Sequence, residues 1–455
     1  MSTTRSTLYI FLKFFKFFRE TFFLCSFLGL IWGYDDPLVF SDNFYKLKTF
    51  YYPNSNFKSL EDFTSLNAVF LTRNDIKTNI NIFSFKYNRQ FKNINVCVMP
   101  IIVNSQLNNI AFGSNYSRKG IYARLEKSFI EATYGNSYIK LGRGSNKKIL
   151  YPHHSLIDSG LSPERDEIKF GTKFNNSNLF FSFGKLGDEK NIDGNVINRN
   201  FAIHGLEWEV SQKIKFELGE IIIYTGQNRG FDFVYSNPFI PYFLNGLEHE
   251  RKDVNNDNDN SMVFFRLKNY MKRLNTYCEL IIDDLQIDKT NKDHALGFKI
   301  GFHNLKHEKF SWLIEATIIN KWTYLHHGDN TSWVNRGIPI GHEYGPDNKS
   351  LNFHATYRYY DYLLYCNLNF VNKGENNFST IWDNSAANNV INDYDNYFIT
   401  SFSISRKVKN LNCEVGWSNR PLGSLSLSNL NDNLINGSFY FKLILSKDFS
   451  SLLNQ

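Results

Sequence analysis

Residues Leu351–Val371 read LNFHATYRYYDYLLYCNLNFV. Leu351, Phe353, Ala355, Tyr357 and Tyr359 alternate with Asn352, His354, Thr356 and Arg358, and after Tyr360-Asp361 the pattern resumes with Leu364, Cys366, Leu368 and Phe370 against Tyr365, Asn367 and Asn369. Side chains of a strand point to opposite faces with period 2, so each run has one apolar and one polar face. Aromatics stand near the ends of the apolar face, while His354 and Arg358 stand on the other. Each run is about 10 residues long, the length a tilted strand needs to cross a bilayer.

The same pattern recurs along the chain. Strands are expected near 66–73, 76–87, 93–103, 119–134, 137–142, 166–174, 177–185, 199–209, 213–224, 260–268, 273–283, 293–304, 308–320, 350–359, 362–371, 395–405, 409–418 and 436–446. That is an all-β chain of about 18 strands (16–18). From 137 onward its connections alternate long and short, with short ones such as Asn175-Asn176 and Tyr360-Asp361 and long ones such as 225–259 and 321–349. Short periplasmic turns and long extracellular loops are the signature of a transmembrane antiparallel up-and-down β-barrel. Ile214, Phe216 and Leu218 oppose Lys213, Lys215 and Glu217, and Phe439, Phe441, Leu443 and Leu445 oppose Tyr440 and Lys442. An outward Lys or Arg at the bilayer midplane costs ~2–4 kcal/mol, so the charged members are expected to line the lumen, among them Glu279, Asp283, His354 and Arg358.

The 455 residues include 43 Phe and 26 Tyr but only 10 Pro, and the mean hydropathy is slightly negative. Helix-forming stretches between strands are almost missing, which disfavours an α/β enzyme. Residues 1–33 read as a signal peptide: Arg5, Lys13, Lys16 and Arg19 precede an apolar run, Thr21–Trp32, too short for a comfortable transmembrane helix. Leu24 ahead of Cys25 does not suit a lipoprotein signal. Residues 34–65 read as an N-terminal periplasmic or plug segment, and 66–455 as the barrel. Without residues 1–33 (four Lys/Arg, one Glu) the formal charge falls from +7 to +4, which gives no case for nucleic acid. Cys97, Cys278, Cys366 and Cys413 lie in register with apolar neighbours, as single thiols rather than a disulfide framework.

Several separated patches resemble the capsule assembly Wzi family of outer-membrane barrels. They are Tyr138–Ser145 (YIKLGRGS) with the Ser-rich 155–163, the turn Ser236-Asn237-Pro238-Phe239 with the Asn/Asp-rich 253–260, Tyr277–Ile287 (YCELIIDDLQI), Trp322-Thr323-Tyr324, and Gly341–Asn348 (GHEYGPDN). The resemblance implies a barrel that holds capsular polysaccharide at the cell surface. It carries over no individual binding residue.

The residues themselves fit that expectation. Sugars are bound by aromatic faces flanked by amides and carboxylates. The loop 321–349 holds Trp322, Tyr324, His326, His327, Trp333, Arg336 and Tyr344, and neighbouring loops add Trp382, Asp383 and Arg420. These are the polysaccharide-binding candidates. The plainer reading of each aromatic is that it belongs to the interface girdle or folds its loop onto itself. Catalytic motifs are weak. Glu279 and Asp283 share one strand face and read as luminal carboxylates paired with Lys/Arg rather than as an acid/base pair with Asp284. His342-Glu343 lacks a second His, Asp257–Asn260 lacks the Gly and Glu of a calcium loop, and His153-His154-Ser155 has no Gly-x-Ser-x-Gly partner. The expectation is a non-enzymatic protein of the Gram-negative outer membrane, without cofactor or metal. Its partners would be capsular or other cell-surface polysaccharide, outer-membrane lipid and the barrel-assembly machinery. The alternative is a porin or oligosaccharide transport channel.

Overall fold

The computed structural model describes residues 63–73, 80–103, 117–118, 121–144, 155–160, 162–191, 193–242, 259–271, 274–285, 294–304, 309–326, 330–380, 394–408, 411–419 and 437–448. The expected signal peptide and nearly all of 34–65 lie outside these residues. The first strand starts at Phe63, three residues before the expected boundary.

Eighteen strands form one antiparallel circuit. We number them β1 (Phe63–Arg73), β2 (Ile80–Phe91), β3 (Ile94–Val103), β4 (Ile121–Tyr134), β5 (Ser137–Arg143), β6 (Asp166–Phe174), β7 (Ser177–Lys185), β8 (Val196–Glu209) and β9 (Ile214–Gly226). The second half comprises β10 (Asn260–Tyr270), β11 (Asn275–Asp284), β12 (Ala295–His303), β13 (Phe310–Ile319), β14 (Asn348–Tyr359), β15 (Tyr362–Lys373), β16 (Asp395–Val408), β17 (Leu411–Ser418) and β18 (Ser438–Asp448). Each pairs with the next, and β1 pairs antiparallel with β18 from Ser65↔Asp448 to Arg73↔Tyr440. That last ladder closes the barrel and leaves no edge, the condition for a sheet to live in hydrocarbon.

The turns at one end are tight. Lys92-Asn93, Gly135-Asn136, Asn175-Asn176 and Tyr360-Asp361 each join two strands, and the first residue of each has positive φ (51, 56, 47 and 50°). Positive φ at a two-residue hairpin matches the twist of the flanking strands. The alternation of long and short connections begins already at β1–β2, earlier than the sequence pattern revealed.

The faces are inverted relative to a water-soluble protein. Phe298, Phe302, Ile318, Leu364, Phe370, Phe402, Phe439, Phe441 and Leu445 are exposed, while Glu279, Lys299, Glu315, Asn352, His354, Asn369 and Lys442 are buried. Inward charges are paired across strands: Lys299 Nζ lies 3.2 Å from Glu315 and 3.5 Å from Glu279, and Lys442 contacts Glu414. Apolar groups left outside and ions gathered inside make sense only if hydrocarbon is the outer solvent. All four described cysteines are free.

Leu280 faces outward between Phe265 and Phe298. Leu280→Arg is expected to lower stability by about 2–4 kcal/mol in lipid vesicles, measured by urea unfolding, whereas Leu280→Ala should cost far less because lipid refills the space. A cost of Leu280→Arg under about 1 kcal/mol would contradict a lipid-facing position.

Candidate functional site

Strands β8–β13 are apolar on the inside as well as the outside toward their loop ends. Phe201, Ile221, Ile223, Met262, Phe264, Ile281 and Ile319 point inward and are almost fully buried. Two inserted segments cover them. One is 155–165; the other is the connection 320–347 between β13 and β14. Leu156 and Ile157 from the first and Tyr324, Trp333 and Ile340 from the second complete the same apolar cluster.

Polar contacts fix the two segments to the wall and to each other. Glu279 on β11 accepts the backbone N–H of Leu156 at 2.8 Å and the Arg266 guanidinium at 2.8 Å, and Arg266 also binds Glu217 at 2.9 Å. Asp283, one turn of the pleat higher, accepts the N–H of Tyr324 at 2.5 Å. The Tyr324 hydroxyl donates to the Leu156 carbonyl at 2.7 Å, and burial pushes that hydroxyl well above the ordinary tyrosine range, so it stays a donor. Trp333 Nε1 donates to the Ile157 carbonyl at 2.9 Å, and Ser159 donates both its N–H (2.8 Å) and its hydroxyl (3.1 Å) to the Ile340 carbonyl. Arg199, fully buried on β8, donates to the Asn330 and Ser332 carbonyls at 2.6 and 2.7 Å and pairs with Glu189.

Within the second segment, Val334-Asn335 and Ile338-Pro339 form a small hairpin. Its tip residues, Arg336 and Gly337, have φ of 54 and 72°. Asn335 ties the hairpin to the barrel rim by accepting the Gly187 N–H at 2.9 Å and donating to the Pro163 carbonyl at 3.0 Å. Arg336 is half-buried at this tip. Burial and the nearby guanidinia of Arg143 and Arg124 pull it below the ordinary arginine range, against the weaker pull of Asp166 and Asp188. At the strand end, Gly341–Asn348 is latched to β15: the Lys373 ammonium donates to the Pro346 carbonyl at 2.6 Å, and the Gly374 N–H to the Asp347 carbonyl at 2.8 Å.

The expected sugar-binding residues are distributed accordingly. Trp322, Tyr324, Trp333 and Tyr344 are 4, 0, 2 and 0% exposed. As placed, they present no ring face to a glycan, which corrects the expectation of a stacking surface. The physical reason is that an aromatic ring in a long loop gains more by completing a core than by standing in water. His326 and Arg336 are half-buried, and Trp382, Asp383, Arg420, His327 and His153-His154 lie outside the described residues. Glu279 and His354 are buried, Asp283 receives the Tyr324 N–H, and Arg358 lies on the same strand face as His354. The reading missed the role of 155–165 as an inserted segment and of Arg266, Glu217, Lys299 and Glu315 as its ionic support. One signal was available: Ile221-Ile222-Ile223 is an unbroken apolar run, and a strand apolar on both faces needs cover inside as well as outside.

Among the described residues no group of three or more His, Cys, Asp or Glu could hold a metal ion. The described parts of the two segments offer hydrogen-bonding and ionic groups over an apolar cluster on β8–β13.

No family model matches this chain, and no curated protein matches it. Solved structures do. Wzi, an outer-membrane protein involved in group 1 capsule assembly in Escherichia coli and a carbohydrate-binding β-barrel, superposes with a TM-score of 0.56 at 12% identity, covering 85% of this chain and 84% of that one. This chain is an outer-membrane β-barrel of the Gram-negative type. OccD3 (OpdP) and OprD of Pseudomonas aeruginosa match with TM-scores of 0.48 and 0.49 at 10 and 9% identity, covering 85 and 86% of this chain and 91 and 94% of theirs. At such identities the likeness is one of fold.

Glu279→Ala leaves Arg266 and Lys299 without a shared carboxylate and should cost about 3–5 kcal/mol, with new protease cleavage within 155–165. Tyr324→Phe removes the neutral hydrogen bonds to the Leu156 carbonyl and from the His342 N–H and should cost about 1–2 kcal/mol. Both are measured by urea unfolding in vesicles; equal costs would contradict the ionic hook.

Proposed function

We propose that this barrel binds capsular or other surface polysaccharide at its extracellular mouth and helps anchor or assemble the capsule, without catalysis. The observation that supports this reading best is the packed interior. Lys299, Glu315, Asn352 and His354 are buried on the inner wall, and two inserted segments build an apolar core inside the barrel against β8–β13. An interior so filled suits a binding barrel better than the alternative, an open porin or oligosaccharide channel. The fold likeness to a carbohydrate-binding barrel supports it as well.

The recognition surface in this reading is the outer side of the cork rather than its buried rings. Arg336 stands at the hairpin tip, near Arg143 and Arg124. Guanidinia bind carboxylate and phosphate groups in bidentate fashion, so an acidic glycan is the natural ligand. Trp382, Asp383 and Arg420 are proposed as further contacts from neighbouring loops. Outer-membrane lipid and the barrel-assembly machinery remain the other proposed partners.

Capture of the detergent-solubilised protein on immobilised acidic polysaccharide, but not on neutral dextran, is the expected result. Arg336→Ala should weaken capture about tenfold, or ~1.4 kcal/mol. A steady open-channel current in planar bilayers, together with no capture, would favour the channel instead.

A further inference from the structure

The first part of the connection after β9, residues 227–242, does not rise from the mouth. It folds back over the outside of the barrel. Phe201, Ile203, Ile221 and Ile223 face the luminal core, so their neighbours Ala202, His204, Ile222 and Tyr224 face outward, in cross-strand register with Phe181 and Phe183. On a bare barrel wall these positions meet lipid. Here Ala202, Ile222 and Tyr224 are 0, 2 and 2% exposed, because Tyr235 and Tyr242 of the loop lie on them. The Tyr235 ring is 5.0 Å from Tyr224 and 5.9 Å from Tyr242.

Beneath the cover sits an ionisable pair that breaks the alternation. Glu220 points outward, 3.4 Å from His204. Tyr242 caps both: its N–H donates to Glu220 at 2.6 Å and its ring centroid is 4.3 Å from that of His204. An outward carboxylate is costly in hydrocarbon, and the cover leaves only 19% of the Glu220 side chain exposed. His204 is five residues from Glu209, the turn end of β8. At about 3.3 Å per residue on a strand tilted by about 40°, it stands about 13 Å above the level of Glu209, against an apolar band roughly 25 Å tall. The cover therefore reaches down into the band.

An irregular segment at that depth needs its backbone donors satisfied. Between Val234 and Tyr242 most of them find partners. Val234 N–H donates to the Asp232 carboxylate (2.9 Å), Ser236 to the Asp232 carbonyl (3.0 Å), Asn237 to the Val234 carbonyl (3.1 Å), Phe239 to the Asn237 side chain (3.0 Å) and Ile240 to the Asn237 carbonyl (3.3 Å). Pro238 and Pro241 have no N–H to leave unpaired. The base is pinned by Arg229, bidentate to Asp259 at 2.5 and 2.9 Å, with the Tyr235 hydroxyl on the same carboxylate at 2.7 Å.

The outer side of this self-contained segment is aromatic. Phe231, Phe233 and Phe239 are 51, 82 and 82% exposed. Phe231 packs 4.8 Å from the outward-facing Phe183, and Phe233 packs edge-on to Phe231 at 5.1 Å. The patch thus continues the lipid-facing surface of β7–β9, to which the exposed Leu179 and Leu218 also belong. We propose that residues 227–242 form a membrane wedge that sets Phe231, Phe233 and Phe239 among the acyl chains of the outer leaflet, clasping the barrel to lipid on this side.

The test is spin-label accessibility in phosphatidylcholine bilayers. Nitroxides are placed at Phe233→Cys and Phe239→Cys in a chain whose five native cysteines are alanine, with Leu218→Cys as the lipid reference and Ser211→Cys as the aqueous one. The expected result is relaxation by oxygen several-fold stronger than by a water-soluble nickel chelate, as at Leu218→Cys. Dominant relaxation by the nickel chelate would overturn the proposal, as would spin–spin broadening between labels, which would make the patch a contact between copies. If the cysteine-free chain does not fold, Phe233→Trp in the native chain serves. Quenching of the added fluorescence by brominated phosphatidylcholine is expected, and quenching by aqueous iodide alone would overturn the idea.

Discussion

The ladder between β1 and β18 is the constraint on which everything else depends. In hydrocarbon no water is available for an unpaired N–H or carbonyl, so a sheet must close on itself. Closure then dictates the chemistry of both faces. The outer face is solvated by lipid and keeps its Phe, Ile and Leu exposed. The inner face becomes the favourable place for ionisable groups, and there they are assembled as pairs: Arg266 between Glu217 and Glu279, Lys299 between Glu279 and Glu315, Lys442 with Glu414. A charge buried without a partner would be far more costly than such a pair.

Within this polar interior the inserted segments build a second, conventional core. Its wall is supplied by strands that depart from alternation, with Ile221, Ile222 and Ile223 in sequence and Phe264 followed by Phe265. One face of such a strand is covered from within by Leu156, Tyr324 and Trp333. On β8 and β9 the other face is covered from without by Tyr235 and Tyr242. The barrel wall here is a layer between two protein covers, while elsewhere it separates lipid from a polar lumen.

The ionic groups and the apolar cork are coupled through single residues. Glu279 balances two cations and also holds the N–H of Leu156; Asp283 holds Tyr324. A carboxylate on the wall therefore acts as a peg for a loop that arrives from more than a hundred residues away in sequence. The Arg336 hairpin is positioned by the same logic, through Asn335 to Gly187 and Pro163, and its cationic tip is the part of the cork turned to the rim.

Period-2 alternation and the lengths of the connections were enough to give strand number, face polarity and membrane setting, because a barrel repeats one local rule and each strand obeys it largely alone. The shared strand face of Glu279 and Asp283, and that of His354 and Arg358, followed from the same parity. What parity does not carry is where a long connection goes. Whether Trp322, Tyr324, Trp333 and Tyr344 meet sugar or wall, whether Glu220 meets lipid or Tyr242, and which carboxylate receives which loop depend on contacts between segments distant in sequence. Those contacts arise only when the closed sheet brings β8–β13 into one curved wall, and so the tertiary structure alone decided them.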